Sequence, residues 1–213
     1  MHADIDTETG AAAGTVAEGG IPRDYRIASP PGWVRIVLDP ETMDAKIAAI
    51  VAAQFRGTDS APLVKQSLVR MLGEQCRTAA GNGGVEVHLS TLKVGEYPLS
   101  ASMVVTLLAP RDGAPLPALD DLGVARRAAG EDVRMVEFPA GVALRRRYVE
   151  ELAGDPGDGK GERRLLVTHV DFQFELPGSP LHLLLSYSTP ILPLADAFAE
   201  LFDTMTGTLR WIL

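Results

Sequence analysis

Residues 169–176 alternate strictly between polar and apolar side chains, as His169-Val170-Asp171-Phe172-Gln173-Phe174-Glu175-Leu176. Successive side chains of a β-strand point to opposite faces of a sheet, so this period of two predicts a strand with one face in the core. We expect the strand to cover residues 163–176. The apolar run at 103–108 predicts a second strand, which is covered on both faces.

Further strands and helices follow outward from this pair. Strands are predicted at 25–28, 33–38, 85–93, 100–109, 133–138, 142–150 and 181–189, and helical patterns at 40–57, 62–80, 119–129 and 194–209. Most links between strands are short, which makes neighbouring strands antiparallel. The expected fold class is α+β, a single antiparallel sheet flanked by helices. The predicted core contains Met103, Val105, Leu107, Phe172, Phe174, Phe198 and Phe202.

The chain of 213 residues reads as one domain with two low-complexity segments. We expect residues 1–21 to be a disordered acidic tail, residues 22–213 to be the domain, and residues 153–162 to be a flexible loop. The helix at 62–80 is expected to bury a stripe of Leu63, Val64, Leu68, Met71 and Leu72.

The formal net charge of −8 and the pI of about 5.0 argue against a general nucleic-acid or anionic-membrane surface. Hydrophobic residues make up 46% of the chain, but no apolar run is long enough to span a bilayer. Neither a signal peptide nor a lipoprotein leader is recognisable. We therefore expect a cytoplasmic protein.

Motifs for known cofactors and metals are missing from the sequence. Residues 154–160 match the letters of a phosphate-binding loop, but Gly161 follows where Ser or Thr must hold magnesium, and a strand follows instead of a helix. A single cysteine, Cys76, excludes both an internal disulfide and a cysteine-based zinc site. We expect no cofactor and no stoichiometric metal.

A polar patch is expected where residues 142–150 pair with residues 163–176 as a hairpin. If the apolar faces of the two strands coincide, the numbers of paired residues have an even sum near 314, and Arg145 lies opposite His169. The predicted patch consists of Arg145, Arg147, His169, Asp171 and Gln173.

Three interpretations of this patch remain open: a solvated face, a surface that binds a partner, and a catalytic or metal site. Arg146 is expected to point to the other face, towards the sheet margin or an acidic partner, because an unpaired buried guanidinium is too costly.

The two ends of the domain resemble PsbP-like domains. The stretch Tyr25-Arg26-Ile27-Ala28-Ser29-Pro30-Pro31-Gly32-Trp33 is similar to their opening strand, turn and strand. The stretch Leu183-Leu184-Leu185-Ser186-Tyr187-Ser188-Thr189-Pro190, followed by a helix with Phe198 and Phe202, looks like their last strand and helix. The order of elements matches over about residues 23–211.

The resemblance implies an α-β-α sandwich around an antiparallel sheet. The superfamily also includes a Ran-binding import factor, LpqN-type lipoproteins of actinobacteria and Eag-type chaperones of secreted effectors, and its members mostly bind other proteins. The usage of Ala, Gly and Arg with few Lys also resembles that of actinobacterial proteins.

The expected function is that of a non-enzymatic protein that binds another protein, as a chaperone or adaptor for a secreted or toxin-like protein. The alternative is a small enzyme or ligand-binding domain that uses the patch around His169 and Asp171. A deep pocket with convergent Arg145, His169 and Asp171 would favour the alternative, and an apolar groove, such as a cleft between residues 62–80 and the sheet, would favour protein binding. The competing account is that all apolar residues belong to the core.

Overall fold

The computed structural model describes residues 20–55, 62–95, 97–153 and 164–213 of the chain. The expectations for the acidic tail at 1–19 and for the loop at 154–162 fall outside these residues. The strands on either side of that loop pair up to Ala153 and Arg164.

The described elements confirm an α+β fold with four helices. The strands are β1 (Asp24–Arg26), β2 (Trp33–Val37), β3 (Gly84–Ser90), β4 (Lys93–Val94), β5 (Tyr97–Pro98), β6 (Ser102–Leu108), β7 (Asp132–Phe138), β8 (Gly141–Ala153), β9 (Arg164–Glu175), β10 (His182–Thr189) and β11 (Arg210–Ile212). The helices are α1 (Met43–Gln54), α2 (Pro62–Gly81), α3 (Leu119–Ala128) and α4 (Ala195–Thr206).

Seven of these strands form one antiparallel sheet in the order β2-β3-β6-β10-β9-β8-β7. The predicted antiparallel sheet flanked by helices is therefore confirmed. Two small pairs, β1 with β11 and β4 with β5, add to it. The first pair joins the two ends of the described domain, since Asp24 pairs with Ile212.

One face of the sheet, here named the α4 face, is covered by a continuous aromatic core. Phe172, Phe174 and Tyr187 lie on this face, and Phe198 and Phe202 pack on it from α4. Tyr187 stacks on Phe202 with ring centroids 4.6 Å apart. Of the seven predicted core residues six are buried, and Leu107 is partly buried against the same cluster.

The opposite face of the sheet carries two separate apolar clusters. At one end, α1 and α2 cover Ile36 and Val87. At the other end, α3 covers Val133 and Leu144 through Leu119. The strands between these clusters present mostly polar side chains to this face, among them Ser102, Ser186 and Ser188, and the sequence alternation already predicts polar residues there on β9.

The predicted register of the β8–β9 hairpin is wrong. Arg145 pairs with Phe172 and Tyr148 pairs with His169, so the residue numbers have an odd sum of 317. The prediction assumed that the apolar faces of the two strands coincide. That assumption fails because β8 is covered on both faces: Leu144 is buried under α3, and Ala143 is buried on the α4 face.

Candidate functional site

The observed register divides the predicted patch between the two faces of the sheet. Arg145 and Arg147 share the α4 face with Phe172. His169, Asp171 and Gln173 lie on the opposite face. The five residues therefore do not form one site.

Arg145 and Arg147 attach α4 to the sheet. Nε of Arg145 donates a hydrogen bond of 2.7 Å to Oδ1 of Asp203, and its guanidinium lies 5.7 Å from the centroid of the Phe172 ring. Nη2 of Arg147 donates to Asp196 at 2.6 Å. Both acids belong to α4, so these two arginines link that helix to the sheet. Their predicted binding role stays a prediction.

Arg146 takes the place of Arg145 beside Asp171. Its guanidinium lies 4.0 Å from the centroid of the Tyr148 ring, and Tyr148 stacks on His169 at 4.8 Å. It also pairs with Glu131, at 2.5 Å, and with Asp171, at 3.8 Å. The prediction that Arg146 finds an acidic partner is confirmed. We name Glu131, Arg146, Tyr148, His169 and Asp171 the Asp171 cluster.

Burial dominates the electrostatics of Asp171. It raises the pKa of this carboxyl above its ordinary value of 3.8, although a hydrogen bond with Ser186 and the charge of Arg146 offset part of the effect. For Glu131 the hydrogen bond from Arg126 is the main cause of a lowered pKa. Two carboxyls therefore lie beside the Arg146 guanidinium. The pKa of Glu131 is lowered and the pKa of Asp171 is raised.

Three buried polar atoms of the Asp171 cluster lack a hydrogen bond. Among the described residues, four buried side-chain nitrogen or oxygen atoms have no such partner, and they include Nε of Arg146, Nε2 of His169 and Oδ1 of Asp171. Glu131 and Glu150 lie within ion-pair distance of the two nitrogens, but off the hydrogen-bonding direction. Buried polar groups are normally paired, so Oδ1 of Asp171, which also lacks an ion-pair partner, has capacity for a polar ligand or water.

Gln173 contributes to a different contact. Its Nε2 lies 2.8 Å from Nδ1 of His182 on β10, and burial lowers the pKa of that histidine. His182 also lines a cavity of about 770 Å³ at the end of the sheet, together with Leu119, Glu175 and Gly178. The cavity is not lined by Arg145, His169 or Asp171.

An apolar groove of about 650 Å³ lies between the α1–α2 pair and the sheet. Helix residues Ile50, Phe55, Leu68 and Leu72 form one wall, and the sheet side includes Leu89, Leu92, Lys93, Pro98 and Pro190. The rest of the lining consists of Val51, Gln54, Ser90, Thr91, Ser100, Ala101, Ser102 and Ser188. Lys93 is the one charged side chain among these described lining residues.

The surroundings of the groove expose further apolar side chains. On α2, Leu63 is 78% exposed, and Val64 and Met71 are also exposed. Beside the groove, Val94 and Tyr97 are exposed on the β4–β5 pair. The predicted buried stripe of α2 is therefore wrong at three of its five positions, because α2 turns only its Val69, Leu72 and Cys76 side towards the core.

The sequence analysis missed the residues that pack around Arg146 and those that line the groove. A signal for the first set existed: residues 142–148 carry apolar side chains at both odd and even positions, as a strand covered on both faces does. For the groove the sequence indicated only a cleft beside residues 62–80. The walls come from elements far apart in the chain, and spacing along the chain does not reveal them.

Comparisons with models of known protein families, with curated proteins and with solved structures give no match to this chain. Within the described residues, no group of three His, Cys, Asp or Glu side chains is placed to hold a metal ion. The helices of the described part of the chain are all too short or too polar to cross a membrane.

Proposed function

We propose that the protein binds another protein through the apolar groove, as an accessory factor of the chaperone or adaptor type that needs no chemistry of its own. The observation that carries this proposal is the groove itself, which is open to solvent and lies between elements that expose further apolar side chains. Exposed apolar patches of this kind are uncommon on monomers that have no partner.

The occupant that fits best is an amphipathic helical segment with acidic residues beside its apolar side. Helices bind in such grooves through a few apolar anchors spaced three and four residues apart. Lys93 lines the groove, and Nζ of Lys65 lies 5.6 Å from the centroid of the Phe55 ring in its wall. Two cations beside an apolar wall favour acidic flanking residues.

The resemblance to PsbP-like domains supports the same class of function. A secreted or toxin-like client and a cytoplasmic location belong to the proposal, because Eag-type chaperones of that superfamily act on secreted effectors. These finer points rest on the resemblance and on composition.

A binding assay with defined peptides tests the proposal. Fluorescence anisotropy would compare an 18-residue amphipathic helix carrying Leu and Glu, its scrambled version and a version with Lys in place of Glu. We expect the first peptide to bind most tightly, and Lys93→Glu to shift the preference towards the Lys peptide. Leu68→Asp should weaken binding by about tenfold or more, since it places a charge in the wall.

The matched control is Val124→Asp, which also replaces an aliphatic residue by Asp, at an exposed position on α3. It should leave binding unchanged. Equal affinity for the helical and scrambled peptides would contradict specific binding in the groove. Equal effects of the Leu68 and Val124 variants on binding would contradict it as well.

A second candidate function is supported by Oδ1 of Asp171, a buried acceptor with neither a hydrogen bond nor an ion-pair partner. The cluster holds both charges, so a small zwitterion is the ligand that it favours. A thermal-shift screen with the twenty amino acids would test this, with Asp171→Asn as the matched variant. A ligand of this site should stabilise the unaltered protein and not the variant, and an equal response of both would reject the candidate.

A further inference from the structure

A second buried polar cluster lies on the α4 face, away from both the groove and the Asp171 cluster. Glu86 and His88 occupy alternate positions of β3, and their side chains are only 2% and 3% exposed. They pair with Val105 and Met103 of the aromatic core face. Two ionisable groups buried this deeply require specific partners.

Those partners form a chain that ends on a serine. Nε2 of His88 lies 3.0 Å from Oε1 of Glu86, and Nδ1 of His88 lies 2.7 Å from Oγ of Ser29. The Glu86 carboxylate only accepts hydrogen bonds, so the neutral imidazole carries its proton on Nε2 and leaves Nδ1 free to accept the serine proton.

Glu86 is held in place from two further sides. Arg35 pairs with its other oxygen, and the Tyr25 hydroxyl donates to it. Burial alone would raise the pKa of Glu86, but the hydrogen bonds from His88 and Arg35 hold it below its ordinary value. The carboxylate is thus charged and fixed behind the imidazole.

Ser29 sits at the boundary between this buried pair and solvent. It is half-buried, and the backbone on both sides is fixed: Ala28 N–H donates to Thr208 Oγ1 at 2.8 Å, and Trp33 N–H donates to Pro30 O at 3.2 Å. Gly32 closes that turn at a φ of 85°, which other residues rarely adopt. The serine hydroxyl is therefore presented by a rigid turn.

We propose that Ser29, His88 and Glu86 form a nucleophile, base and orienting acid for acyl transfer from carboxylic esters. The arrangement supplies two contacts that such chemistry requires: a hydrogen bond from the nucleophile to the base, and one from the base to the orienting group. This activity goes beyond the proposed binding role, and it would overturn the expectation that the chain is not an enzyme.

The proposed reaction has two steps. Oγ of Ser29 bonds to the ester carbonyl carbon while its proton moves to Nδ1 of His88. The carbon–oxygen bond to the alcohol then breaks, and the alcohol leaves with that proton. Water attacks the acyl-serine by the same route, which releases the carboxylic acid and restores Ser29.

Covalent labelling of the whole protein tests the proposal. An ethyl fluorophosphonate probe should modify Ser29, as located by peptide mass spectrometry, and Ser29→Ala should abolish the adduct. Glu86→Gln and His88→Asn should slow labelling by about 100-fold or more, the loss expected for a general base. Ser67→Ala is the matched control, since Ser67 is exposed on α2 and belongs neither to this hydrogen-bonded chain nor to the groove lining, and Ser29 of this variant should be labelled at the unaltered rate.

A second variant covers the case in which the buried substitutions unfold the protein or the probe is too large. Ser29→Cys should react with iodoacetamide about tenfold faster than the free thiol of glutathione, because His88 would take its proton. Burial raises the pKa of Cys76, so that thiol should compete poorly. The proposal would be overturned if Ser29 is not labelled and Ser29→Cys reacts with iodoacetamide no faster than glutathione does. The buried cluster would then have only a structural role, that of linking β1 to the sheet. Labelling that folded Glu86→Gln and His88→Asn variants do not slow would overturn it as well.

Discussion

The two faces of the seven-stranded sheet bury their residues in different ways. On the α4 face a single helix packs on one hydrophobic cluster, which includes the stacked rings of Tyr187 and Phe202. On the opposite face three helices cover two separate clusters and leave polar strands and a groove between and beside them. We infer that the α4 face carries most of the stability, whereas the opposite face leaves polar strands and a groove uncovered.

The largest expected effect comes from removing an aromatic ring from the α4 face. Phe202 is fully buried and stacks on Tyr187, so Phe202→Ala should lower the free energy of unfolding by about 3 to 5 kcal/mol. Leu63→Ala on exposed α2 is the control, and its effect should stay within about 0.5 kcal/mol. Urea unfolding of both variants measures this, and equal effects would break the comparison between the faces.

A smaller loss of stability is expected from a change at Arg145, which the observed register places on the α4 face. Arg145→Met keeps the apolar stem over Phe172 but leaves Asp203 without its main partner. Because Asp203 is one-third exposed and water can reach it, the expected loss is about 1 to 3 kcal/mol. Arg147→Met should cost less than about 0.5 kcal/mol, since its partner Asp196 is 88% exposed. Chemical denaturation would show whether the two arginines differ in this order.

The fold follows from the sequence because local signals agree across the chain. The alternation at 169–176, the apolar run at 103–108 and the apolar stripe with Phe198 and Phe202 each specify an element and its buried side. Short links then fix the antiparallel arrangement. These signals depend on neighbours in sequence, and the sequence displays them directly.

The site follows from the sequence only in part, because it depends on the pairing of strands. The observed sum of 317 differs from the predicted 314 by three, and any odd shift in register moves every side chain of β8 to the other face, which exchanged Arg145 for Arg146 beside Asp171. The relation between Ser29 and His88 joins residues 59 positions apart. No spacing rule along a single strand predicts such a contact.

The smallest expected effect is a change of the free energy of unfolding with pH, caused by the ionisation of Asp171 on the opposite face. Burial raises the pKa of this carboxyl in the folded protein above its value in the unfolded chain. The folded state therefore binds the proton more tightly, so this group favours folding at low pH and loses that contribution as the pH rises through its folded pKa. Asp171→Asn removes the ionisation, so its stability relative to the unaltered protein should increase as the pH rises from about 3.5 to 7.

Ser186→Ala sharpens the same measurement. The hydrogen bond with Ser186 lowers the pKa of Asp171, so its removal should raise that pKa further and extend the loss of stability to higher pH. Thermal unfolding of the three proteins across this pH range gives the comparison. If the difference between Asp171→Asn and the unaltered protein instead falls with pH, attraction to Arg146 outweighs burial. The Asp171 cluster would then stabilise the fold as the arginines of the α4 face do, and its unpaired atoms would no longer favour a ligand.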